Sequence, residues 1–228
     1  MNQGAQVLPT AGGAVAAQRN RVLRNTYWLL ALSMVPTVLG AWVGLQTGIA
    51  AAMSPGIGLI VFLAGAFGFM FAIEKNKNSA AGVPLLLGFT FFMGLMLSRL
   101  LGVVLGLGNG TGLIMTAFTG TGVIFLGMAT MSSVIKRDLS QMGKFLFIGM
   151  IMLLVAMIAN FFIQSSALMI TLSVLAIGIF SLFILHDLKR VQDGLETNYI
   201  TATLGVYLSV YNVFSNLLVL LGIFGGDD

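Results

Sequence analysis

The side chains able to do chemistry in this chain gather toward its C-terminal end. His186 and Asp187 close one long apolar run, and Ser209, Asn212 and Asn216 interrupt the next. Asp187 follows IFSLFIL at one residue's remove and is the deepest acid in the sequence. A carboxyl there resists ionising when desolvated and favours it beside a cation, so its protonation is suited to reporting pH. On a helix Ser209, Asn212 and Asn216 stand at i, i+3 and i+7, which makes one polar stripe along the apolar stretch 201–224. Lipid leaves such groups unsatisfied. The stripe is therefore expected to face other helices or a wet cavity, with this last helix surrounded by the rest. Three chemistries are open to these residues: proton sensing, an ion path, or hydrogen bonding that only specifies packing, at about 0.6 kcal/mol per bond. Asp187 is the candidate for a weak calcium contact, although calcium ordinarily takes about six to eight oxygens, several of them carboxylates.

Other chemistries are excluded by residue type. The chain has no His-Glu-x-x-His and no Gly-x-Ser-x-Gly, and His186 is its single histidine, which argues against hydrolysis within the membrane. Span 201–224 has no lysine on which a retinal Schiff base could form, and the absence of cysteine removes disulfides and thiolate metal sites. The chain reads as a non-enzyme without a cofactor. Its net charge of +4 is divided among short loops and forms no basic face for nucleic acid.

The elements that position these residues follow from composition. With 58% hydrophobic and 8% charged residues in 228, the chain lacks the polar surface of a soluble globule, where about 25% charged is ordinary. It is an all-α integral membrane protein whose partner is the lipid bilayer. A span needs about 20 apolar residues, and runs at 27–45, 57–73, 83–106, 113–134, 145–163, 168–186 and 201–224 make seven. Basic residues precede the first span and follow the second, fourth and sixth, whereas connections 46–56, 107–112 and 164–167 carry no charge. The positive-inside rule then places the N-terminus in the cytoplasm and the C-terminus outside. Residues 1–18, rich in Ala, Gly and Gln and uncharged, are expected to be a disordered cytoplasmic tail ahead of a membrane domain at 19–228.

Arg99 stands apart, inside the third span and about 22 Å along it from Pro84 at a rise of about 1.5 Å per residue. It is expected to snorkel toward outer headgroups, with a pore-lining role as the alternative. Glu74, Asp138 and Asp193 lie beside Lys or Arg and read as solvated topological charge. Glycines at 40, 44 and 48, and at 102 and 106, have the four-residue spacing that lets helices approach closely.

Several runs carry a family resemblance: AFTGTGVIF (117–125), KRDLSQMGKFLFIG (136–149), ILHDL (184–188) and YLSVYNVFSNLLVLLGIF (207–224). Together they resemble the Bax inhibitor-1, or transmembrane Bax inhibitor motif, family from about Arg24 onward. VLRNTY (22–27) and ETNYI (196–200) are similar to its bacterial YccA branch. The family implies a seven-helix bundle with the last helix central. Some members are associated with a pH-sensitive calcium leak gated by two aspartates. Asp187 matches the first, but Ser209 stands in place of the second, so the coupled carboxylate pair cannot form here. Glu74 and Lys75 occupy the region where leak-type members hold an Arg, and Ser98 and Arg99 replace a common Gly-Pro. The YccA branch is instead associated with restraining FtsH, a membrane-bound ATP-dependent protease. The resemblance implies an FtsH modulator in the inner membrane of a Gram-negative bacterium, with the calcium or proton leak as the alternative.

Overall fold

The computed structural model describes residues 11–225, and all its regular structure is helical: α1 Ala11–Thr47, α2 Ile49–Ala52, α3 Pro55–Asn76, α4 Gly82–Leu105, α5 Gly110–Val134, α6 Met142–Ile163, α7 Ser166–Gln192 and α8 Tyr199–Phe224. Seven of these are long and apolar enough to cross a membrane, and each contains one of the expected spans to within a residue. The short α2 lies in the first uncharged connection.

Two helices outrun their apolar cores. α1 reaches back through residues 11–18, part of the stretch expected to be loose; its alanines favour the helix once a span anchors one end. Residues 1–10 lie outside the described ones. α7 continues past His186 to Gln192, so Asp187, Lys189 and Arg190 sit on a rigid helix and not in a loop.

The turns are fixed by polar caps. Ser54 caps α3 ahead of Pro55, and Ser165 caps α7 through the Leu168 N–H at 3.3 Å. Asn198 does more. Its Oδ1 accepts from the N–H groups of Ile200 and Thr201 at 2.9 and 3.2 Å, while its Nδ2 donates to the Lys77 carbonyl and to Asn78 Oδ1 at 3.0 and 2.8 Å. One side chain thus starts α8 and ties that start to the α3–α4 turn.

α8 packs against α1, α3, α4, α5 and α7, as a central helix must, while α6 stacks on α7 at the periphery. α4 is nonetheless the most enclosed span: 44% of its most apolar window is buried, against 33% for α8. The cause is its crossing with α1, where backbones meet. A Cβ on Gly40 would overlap the Phe91 carbonyl oxygen, and one on Gly94 would overlap that of Thr37. Gly44 works in the same crossing against Ser98. Gly48 does not: it takes the left-handed conformation, φ 65°, at the α1–α2 turn. Gly106 caps α4, so of the expected packing glycines only 40 and 44 make the closest approach, with Gly94 completing it.

The two ends of the bundle differ in charge. One holds the ends of α3, α5 and α7 and their Lys, Arg, Asp and Glu; the other holds the ends of α1, α4, α6 and α8 and, among described residues, only Arg99.

Candidate functional site: one cleft with two unlike ends

α3 packs on α4 and lightly on α8, and α6 packs on α7, but no substantial interface joins α3 to α6 or α7. That gap leaves a cleft over one face of α8. Thr201, Gly205 and Leu208 line it at the charge-rich end and Asn212, Ser215, Asn216 and Val219 at the charge-poor end, a continuous helical stripe. The cleft widens into a cavity at each end.

The charge-rich cavity, about 290 Å³, is bordered by Glu74, Asp187, Arg190 and Glu196. Asp187 is the most buried of these carboxylates, its side chain 19% exposed. His186 Nδ1 lies 3.2 Å from its Oδ1. Its Oδ2 rests on α8 at Gly205, where a Cβ would stand only 2.8 Å away. His186 itself faces α6, 2.6 Å from where a Cβ on Gly143 would lie. Glu196 accepts from the Asn198 N–H and the Thr201 hydroxyl at 3.0 and 3.1 Å and pairs with Arg190 at 3.8 Å. Lys189 and Asp193 form a further pair on the adjacent turn of α7. Sequence reasoning passed over Arg190 and Gly205 as neighbours of Asp187, because only the turn between α7 and α8 brings α8 and Glu196 back to it.

Ser209 does not join this group. It is buried, lines neither cavity, and donates to the Gly205 carbonyl of its own helix at 3.0 Å, so no Asp187–Ser209 hydrogen bond forms. The rest of the stripe behaves alike: Asn212 donates to the Leu208 carbonyl and Asn216 to that of Asn212, each at 2.8 Å. Polar side chains in a helix can satisfy themselves on the preceding turn. Cross-helix bonding falls instead to Thr203, whose hydroxyl reaches the Thr26 carbonyl at 3.4 Å, and to the tyrosines. Tyr207 shares a hydrogen bond with Thr37 at 2.9 Å and reaches the Thr90 carbonyl at 3.4 Å, and Tyr211 donates to the Met93 carbonyl at 3.3 Å.

The charge-poor cavity is larger, about 1040 Å³, and takes in Asn212, Ser215 and Asn216 with Asn160, Gln164 and Arg99. The expected site residues are thus divided, Asp187 at one end of the cleft and Asn212 and Asn216 at the other. No set of three or more His, Cys, Asp or Glu side chains able to hold a metal ion occurs among the described residues. The donor set around Asp187, with Arg190 beside it, does not fit a calcium site.

Fold and cleft define a polytopic membrane protein, a seven-helix bundle built round its last span. The comparison with known proteins makes this specific. Residues 19–226 match the family described as Inhibitor of apoptosis-promoting Bax1, and the chain belongs to this Bax inhibitor-1 family. It is 36% identical over 211 residues to an uncharacterized membrane protein of Vibrio cholerae, covering 92% of this chain and 93% of that one. An uncharacterized protein of Pseudomonas aeruginosa is 38% identical over 217 residues, 94% of this chain and 96% of the relative. YccA of Escherichia coli K12, named a modulator of FtsH protease, is 36% identical over 208 residues, 91% of this chain and 92% of YccA; in strain CFT073 the same name is given to an inner membrane protein.

Proposed function

We propose that this protein is a non-enzymatic inner-membrane modulator of an FtsH-type ATP-dependent protease. The observation that carries the reading is its similarity, along nearly the full length of both chains, to a YccA named for that role. The structure supplies a mechanism compatible with it. A processive protease needs a segment to grip, and the N-terminal stretch ahead of the first span, whose uncharged Ala-, Gly- and Gln-rich composition reads as a tail over 1–18, is the handle we assign. Pulling on that handle loads α1, which is locked to α4 where Gly40 and Gly94 bring two backbones together. The bundle resists extraction, and the protease is held while it fails.

This mechanism needs the N-terminus in the cytoplasm, the side to which the positive-inside rule assigns the charge-rich end. The test is deletion of residues 2–18, which leaves the apolar run 27–45 whole, followed by co-purification with FtsH and assay of FtsH proteolysis. Association and inhibition should both fall; if neither changes, the handle mechanism is wrong. Ser79→Cys, in a chain without cysteine, checks the orientation, because impermeant maleimide should reach it only in inverted vesicles.

A further inference from the structure

We propose that the charge-poor cavity binds an anionic amphiphile: a membrane phospholipid with its phosphate at Arg99 and its hydrocarbon leaving the bundle through the gap between α3 and α6.

Among the described residues the charge at this end is one-sided. Their ion pairs, Lys77–Glu74, Lys189–Asp193 and Arg190–Glu196, all lie at the charge-rich end, as does the His186–Asp187 contact. No carboxylate of the described residues lines the larger cavity, where Arg99 is their only charge. Arg99 lies six residues, about 9 Å at helical rise, before the end of α4, near headgroup depth. Its Nη1 donates to the Met53 carbonyl at 3.3 Å and lies over Gly58, which keeps the guanidinium at the cavity wall. That bond uses one of five N–H donors. A guanidinium held this way, without a carboxylate, recognises phosphate through paired, charge-assisted hydrogen bonds.

Volume and lining choose between a free anion and a lipid. About 1040 Å³ greatly exceeds a phosphate and its waters, since a water occupies about 30 Å³. Leu59, Phe62, Met96, Phe161 and Met169 supply apolar wall beside Arg99, surface that a soluble anion would leave unused. The gap between α3 and α6 opens sideways, toward lipid. Asn212 and Asn216 each spend one amide N–H on the α8 backbone, keeping a second N–H and the amide oxygen for hydroxyls on a headgroup.

The experiment is native mass spectrometry of the purified full chain with dihexanoyl phosphatidylglycerol, dihexanoyl phosphatidylcholine or inorganic phosphate. One phosphatidylglycerol should be retained per chain, with about a tenfold preference over phosphatidylcholine, whose phosphate is the same but whose cationic headgroup is repelled by Arg99. Arg99→Gln should abolish that preference and Arg99→Lys should keep part of it. Ser215→Phe, which fills the cavity without altering charge, should prevent retention of both lipids. Equal retention of the two lipids, an Arg99→Gln protein that still prefers phosphatidylglycerol, or displacement of the lipid by equimolar inorganic phosphate would each overturn the proposal. Circular dichroism of every variant confirms that a lost preference is not lost fold.

Discussion

Two kinds of polar residue share α8, and they contribute differently to its stability. Ser209, Asn212 and Asn216 bond carbonyls of their own helix, so replacing Ser209 removes a bond whose acceptor already serves the helical ladder. Tyr207 reaches two other helices, at Thr37 on α1 and Thr90 on α4. Measured cross-helix hydrogen bonds in membranes average about 0.6 kcal/mol and reach about 1.7. Tyr207→Phe should therefore destabilise the protein by about 1 kcal/mol, while Ser209→Ala should stay within about 0.5 kcal/mol of the parent. Unfolding in mixed micelles of increasing SDS content measures both. The polar stripe was legible in the sequence; its partners were not, because periodicity shows which face is polar but not whether a short side chain turns back on its own backbone.

At the level of elements, glycine spacing predicted close packing, and the structure sorts the glycines by what each would touch. Gly94, which no spacing motif singled out, lies against the Thr37 backbone, and Gly102, which a motif did single out, has only the end of Leu45 at 3.7 Å. A methyl at position 94 must push α1 and α4 apart and disturb the Thr37 that Tyr207 holds. Gly94→Ala should cost about 1–3 kcal/mol, the usual penalty of overpacking. Gly102→Ala makes an ordinary contact and should fall within about 0.5 kcal/mol of the parent. The same denaturation assay separates them, and equal effects would remove the α1–α4 crossing from its place as the anchor of the fold. Span positions, by contrast, were readable, each expected run lying inside its helix to within a residue, since hydrophobic length alone fixes them. The extension of α7 was not, because Lys189 and Arg190 look like loop charge until Lys189 is seen to pair with Asp193 at the helix end and Arg190 with Glu196 across the turn.

For the whole molecule, the cleft weighs against a conduit for calcium. A cation crossing along α8 would leave a cavity with Glu74, Asp187 and Glu196 and enter one where the only charge among the described residues is Arg99. Leu208 on α8, in the wall of the first, and Phe62 on α3, in the wall of the second, are both packed against the main apolar core. A divalent ion would have to shed most of its water there with no carboxylate to replace it, and then pass a guanidinium, a sequence opposite to the field that steers cations. The aspartate that the resemblance expects in the seventh span is a serine turned onto its own helix. Calcium flux into liposomes holding the purified protein should therefore not exceed that of protein-free liposomes at neutral or acidic pH, and Asp187→Asn should leave it unchanged. An acid-stimulated flux abolished by Asp187→Asn would reverse the ranking: it would mean that the cleft opens past Leu208, and that Asp187 gates it without a second carboxylate.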